Sequence, residues 1–171
     1  MLTARNILNH IKTGDIKIDN FDESQLNPNS YNLTLAAEYK TYIGRTLDAK
    51  AENKMERRMF DKEGDILYPG QLYIMSTEEY TETHNLIPRV DGRSSIGRLG
   101  IFVHVTAGFG DIGFCGKWTL EVVVVRPVIL YAGIKICQIS YLAPDGPIDR
   151  VYKGKYQGQR ESTGTKLFKE M

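Results

Sequence analysis

Apolar positions recur at helical spacing in only one stretch of the chain. Ile7, Leu8 and Ile11 fall on one helical face between Thr3, a residue able to cap an N-terminus, and Gly14, which stops the helix. After that, short extended runs dominate: SYNLTLAAEYKTYI, GQLYIMST, GIFVHVTA, KWTLEVVVV, PVILY and IKICQISYL. Tyr, Val, Ile and Thr are frequent in them, and turn signals such as Asn27-Pro28-Asn29, Pro69-Gly70 and Ala132-Gly133 separate them. Many short strands with no helices between them predict a mostly β sandwich or barrel with antiparallel pairing. The charged stretch from Leu47 to Lys62 reads as an exposed excursion. From Asp149 onward hydrophobicity collapses. The pattern therefore predicts one β domain over residues 1–148 and a flexible C-terminal segment over 149–171.

Length and charge narrow the field. A chain of 171 residues suits one domain with a substantial core. Its 22 Lys and Arg nearly cancel its 21 Asp and Glu, so there is no overall field to recruit nucleic acid or an anionic membrane. Any anionic ligand must be held by locally placed cations. No apolar run has the length of a membrane span, and MLTARNILNH is not a signal peptide, which points to the cytoplasm. Cys115 and Cys137 read as reduced thiols in separate strands.

Three familiar motifs fail on context. Gly108-Phe109-Gly110-Asp111-Ile112-Gly113 fits G-x-G-x-x-G, but strand-like residues follow it where a dinucleotide site opens a helix. Gly92 to Gly97 has P-loop spacing, yet Arg98-Leu99 replace the required Lys and Ser/Thr. The zinc deaminase signature, H-x-E with a later P-C-x-x-C, is absent: none of His10, His84 and His104 has a Glu two residues on.

Four places can still carry chemistry. Glu121 interrupts the run from Trp118 to Val125, where four valines suggest a strand covered on both faces. There a carboxylate would be desolvated and its pKa raised toward the range useful for proton transfer; on a half-exposed strand it would merely face solvent. GRSSIGRLG, from Gly92 to Gly100, combines arginines, hydroxyls and glycines that suit phosphate, or form a polar turn. Asp111, among glycines, can hold a sugar hydroxyl or activate water, or serve turn geometry alone. Tyr152 to Gln159 carries cations, amides and aromatics and forms either a lid or a disordered end.

In this order LNPNSYNLTL, ILYPGQLYIMST, GRSSIGRLG, FVHVTAGFGDIGFCGKWTLE, KICQI and KYQGQ resemble the dCTP deaminase family of the dUTPase-like fold, over nearly the whole chain. The resemblance implies a distorted β-barrel or jelly-roll subunit with a short N-terminal helix, assembled as a homotrimer with sites at subunit interfaces. It implies that Glu121 is the general base for water attack on cytosine C4 and then protonates the departing ammonia. Ser94 and Arg98 would position the water and stabilise the intermediate, while Arg93 and Ser95 bind phosphate. Asp111 would meet the deoxyribose, and Thr119, Leu120 and Gln138 would line the base and sugar site. Lys155 and Gln159, with Tyr152, would cover the triphosphate from a neighbouring subunit's tail. Mg²⁺ would be held by the triphosphate and not by protein side chains, zinc has no part, and dTTP is the expected inhibitor.

Within that family HVTAGFGDIGF resembles the bifunctional branch, which carries dCTP through to dUMP and diphosphate. Gly108 and Phe109 are the discriminating positions, since enzymes that stop at dUTP typically have His and then a bulky residue there. In the bifunctional reading Asp111 also assists water attack on the α-phosphate. A monofunctional deaminase, a plain dUTPase and a non-catalytic nucleotide-sensing trimer are the alternatives. The chain departs from the family pattern in its ending RESTGTKLFKEM, in Gly110, and in the short interval from Tyr152 to Lys155.

Overall fold

The computed structural model describes residues 1–104 and 107–171; Val105 and Thr106, inside the run GIFVHVTA, lie outside the described residues. The helix α1 spans Ala4–Thr13 and ends at Gly14 in the left-handed conformation (φ +83°) that glycine adopts without strain. Thr3 occupies the N-cap but makes no side-chain capping bond, so its expected role reduces to its carbonyl, which accepts from the Ile7 N–H at 2.9 Å.

The strands are β1 (Ile16–Ile18), β2 (Leu26–Asn27), β3 (Ser30–Tyr42), β4 (Met55–Met59), β5 (Asp65–Leu67), β6 (Tyr73–Thr83), β7 (Ile87–Gly92), β8 (Ile101–Val103), β9 (Cys115–Val124), β10 (Val128–Leu130) and β11 (Lys135–Leu142). One short helical turn, α2 (Ser94–Gly97), links β7 to β8. The main sheet runs β7-β11-β3-β6-β9-β8, with β1 on β6 and β2 and β4 on β3, while β5 and β10 form a separate ribbon. Every pairing is antiparallel. The sheet curls until its two ends meet, and a Cβ added to Gly92 on β7 would lie 3.9 Å from Val103 Cβ on β8. The result is the nearly closed, mostly β barrel that the patterning predicts.

Alternation fills the interior. Tyr31, Leu33 and Leu35 of β3, Met75 of β6, Leu120 and Val122 of β9 and Ile139 and Tyr141 of β11 are fully buried in one core. The stretch Leu47–Lys62 is exposed as expected but is not all excursion: Met55–Met59 pairs with Glu38–Tyr42 as a solvent-facing edge strand, which needs little apolar patterning. Among the described residues no helix is long and apolar enough to cross a membrane.

Candidate active site

β9 alternates cleanly. Leu120, Val122 and Val124 point into the core, and Thr119, Glu121 and Val123 point outward and are half-buried. The expectation of a strand covered on both faces therefore fails within one chain, because the second face has no layer over its Glu121 end. The Glu121 side chain keeps 44% of its exposure. Leu120, expected to line the base and sugar site, is fully buried, with its side chain in the core.

The decisive neighbour of Glu121 was not singled out in the sequence. Val103 pairs with Val122, so the next residue, His104, falls opposite Glu121, and His104 Nδ1 lies 2.7 Å from Glu121 Oε2. His104, one residue past the end of β8, has φ +50°. Its side chain is only 3% exposed, and Nε2 is buried with no partner among the described residues. The Nδ1–Oε2 contact has the geometry of a hydrogen bond from the imidazole to the carboxylate.

A cavity of about 190 Å³ opens beside this pair, between the 107–114 loop and the C-terminal segment. His104, Phe109, Asp111, Thr119, Tyr152 and Gln159 are among its walls. Phe114 stacks at a tilt on Trp118 (centroids 4.7 Å) and edge-on to Tyr152 (5.7 Å), giving the cavity an aromatic floor. The loop is laid against β7 by two glycines. Gly110 N–H donates to Pro88 C=O at 2.9 Å, and Val90 N–H donates to Gly108 C=O at 2.8 Å. A Cβ on Gly108 would lie 2.3 Å from Val90 O, so that position admits no side chain without moving the loop. Between them Phe109 is exposed at the cavity rim.

The other group lies at the β7–α2 corner. Arg93 donates from Nη1 to Lys135 C=O at 2.9 Å. Gln138 accepts from Ser30 Oγ at 2.8 Å and donates to Gly92 C=O at 3.3 Å. Ser94, Ser95 and Arg98 are exposed, and among the described residues their side chains make no hydrogen bond or ion pair. No hydrogen bond or ion pair among the described residues joins this group to the group of Asp111, Thr119 and Glu121. Within one chain these residues form two groups.

The C-terminal segment lies along the body of its own chain. Lys117 N–H donates to Gln159 C=O at 2.9 Å, Gly158 N–H to Cys115 C=O at 2.8 Å, and Thr163 N–H to Thr119 Oγ1 at 3.1 Å. Lys40 anchors it further, donating to the Ser162 carbonyl at 2.7 Å and pairing with Glu161 at 2.9 Å. Two tail residues expected at phosphate are engaged here: Lys155 pairs with Glu170, and Gln159 Nε2 donates to Lys117 C=O at 2.8 Å.

These features meet a clear relationship. Residues 1–143 match the family model described as dCTP deaminase-like. The chain belongs to that family. Among its relatives, a Leptospira biflexa protein named "dCTP deaminase, dUMP-forming" is 48% identical over 170 residues, covering 99% of this chain and 97% of its own. A Clostridium botulinum protein of the same name is 47% identical, covering 99% and 98%. Among solved structures, 2′-deoxycytidine 5′-triphosphate deaminase from Agrobacterium tumefaciens superposes with a TM-score of 0.66 at 19% identity, over 84% of this chain and 48% of that one. This chain thus spans about half the length of that structure's chain, and the likeness at that identity is one of fold. For a member of this family, the His104–Glu121 contact beside an open, aromatic-walled cavity is the feature with the most chemical consequence.

Proposed function

We propose that this protein hydrolyses dCTP to dUMP, ammonia and diphosphate. The observation that carries the reading is Glu121, held by His104, itself a wall of the cavity, in a chain nearly half identical to relatives named for dUMP formation. Glu121 takes a proton from water, the oxygen adds to cytosine C4, and Glu121 returns the proton as the amino group leaves as ammonia. His104 donates from Nδ1 to the carboxylate and keeps the other oxygen, Oε1, turned to the water. No resident metal is needed to activate that water, since the chain lacks the H-x-E and P-C-x-x-C ligands of zinc deaminases.

The second half-reaction is water attack on the α-phosphorus of bound dUTP, releasing diphosphate. Asp111, on the cavity wall, meets the deoxyribose and assists that water. Mg²⁺ enters with the triphosphate as part of the substrate and offsets its charge. Ser94, Ser95, Arg93 and Arg98 supply the donors of the second half-site from a neighbouring subunit in a homotrimer, which accounts for the exposure of Ser94, Ser95 and Arg98 in one chain. dTTP, which shares sugar and triphosphate, competes for the same site.

Incubation with dCTP and Mg²⁺, followed in time for ammonia, dUTP, dUMP and diphosphate, tests the reading. Ammonia and diphosphate should rise together with little free dUTP. Accumulating dUTP would make the protein a monofunctional deaminase, dUTP hydrolysis without ammonia a dUTPase, and binding without turnover a sensor.

A further inference from the structure

On the far side of the 111–114 turn, three metal-ligating side chains converge that the proposed chemistry does not use. Glu82 and Cys115 are direct cross-strand partners of β6 and β9, which places their side chains on one face. His84 follows Glu82 by two residues, while Thr83 between them is buried inward. The carboxylate oxygen, imidazole nitrogen and thiol sulfur all lie within 4.8 Å of one another, His84 Nε2 being 3.9 Å from Glu82 Oε2. Bonds of about 2.0–2.3 Å at tetrahedral angles require ligand atoms about 3.5 Å apart, so modest side-chain rotation closes the set.

We propose that Glu82, His84 and Cys115 bind a borderline-soft divalent ion, with zinc the best match, leaving a fourth position to water. Thiolate, imidazole and carboxylate together select such an ion over magnesium or calcium, which take oxygen donors. Binding releases the Cys115 thiol proton to solvent. Lys17, whose Nζ lies 3.0 Å from Glu82 Oε2, is the competitor the ion must displace from that oxygen.

The site is wired to the tail through the backbone. Cys115 N–H donates to Gln157 Oε1 at 3.0 Å, and its carbonyl accepts from Gly158 N–H at 2.8 Å. Gly113 N–H donates to Thr83 C=O at 3.1 Å, and Gly113 C=O accepts from Gln157 Nε2 at 2.7 Å. A bound ion therefore fastens together the turn that presents Asp111 and the segment that walls the cavity. Its readouts do not depend on turnover and stand apart from the proposed deamination.

Cobalt(II) titration of the reduced full-length protein tests this. One ion per chain should give a thiolate-to-cobalt charge-transfer band and slow tryptic cleavage in the tail. Cys115→Ser should abolish the band, and His84→Ala, at a side chain 66% exposed and so without risk to the fold, should weaken binding by at least about tenfold. Lys17→Gln should tighten it. Absence of a thiolate band, a band that survives Cys115→Ser and so belongs to Cys137, or wild-type affinity in both His84→Ala and Lys17→Gln each overturns the proposal.

Discussion

Glu121 and His104 form one unit, and removing either half has a different signature. Glu121→Gln keeps the shape and removes the base, so ammonia release should fall by about 10²–10⁴-fold while dCTP still binds; near-normal release would remove Glu121 from the mechanism. His104→Leu takes away a charge-assisted hydrogen bond of about 1.5–3 kcal/mol, so kcat should fall about 10–100-fold with KM little changed. His104→Asn, whose amide can reach the same oxygen, should recover part of the loss, and no recovery would reduce His104 to packing. The two residues differ in how visible they are in sequence. Glu121 announces itself as a lone acid among valines, whereas His104 is one of three scattered histidines. Only the pairing of Val103 with Val122 brings it opposite Glu121, and register is a tertiary fact. Leu120 shows the reverse: a motif position expected to line the site, whose side chain alternation sends into the core.

At the level of elements, the 107–114 loop and the tail decide what the cavity can hold. Gly108 lies against Val90 O, and Gly110 against Pro88 and Trp118, so both must lack a Cβ. Gly108→Ala should cost about 1–3 kcal/mol as the loop is pushed from β7, read as a lowered unfolding midpoint, and dUTP should begin to escape during dCTP turnover. Stability and product pattern unchanged from wild type would contradict this packing. The tail adds a dependence on pH. The Lys40 hydrogen bond, and then its charge, hold the Glu161 carboxyl below its ordinary value of 4.5. A carboxyl lowered on docking stabilises the docked state above the free value and loses that contribution as pH falls through the lowered one. Limited proteolysis near Arg160 and Lys166 should therefore accelerate on acidification below about pH 4.5, and Glu161→Gln should show the faster cleavage already at neutral pH. A tail cut equally fast at all pH values would exclude the clamp. The strands were legible because alternation and turn residues mark them directly. The tail's docking was not: its polar, Gly-rich composition reads as freedom, while backbone pairing with Cys115 and Lys117 does not depend on side-chain character.

For the whole molecule, the question is why residues from one motif set fall into two groups within one chain. One chain leaves Ser94, Ser95 and Arg98 exposed, and close to them Leu99, Phe102 and Val125 are exposed apolar side chains around α2 and β8. Such a patch on the same corner as unpaired donors suits a subunit contact that brings the donors to a neighbour's Glu121. Mixed assemblies separate this from a site built within one chain. Arg98→Ala and Glu121→Gln should each be inactive alone. If a site draws Arg98 from one subunit and Glu121 from the next, a trimer reassembled from equal amounts of the two variants contains intact pairs. Each site is whole only when the first subunit keeps Arg98 and the second keeps Glu121, which random mixing supplies in about one quarter of sites. Ammonia release should return to about a quarter of the wild-type rate after joint refolding, and not after simple mixing of assembled variants that do not exchange. No recovery after joint refolding, with assembly verified by sedimentation, would place both half-sites in one chain and require the β7–α2 corner to move toward β9 when nucleotide binds.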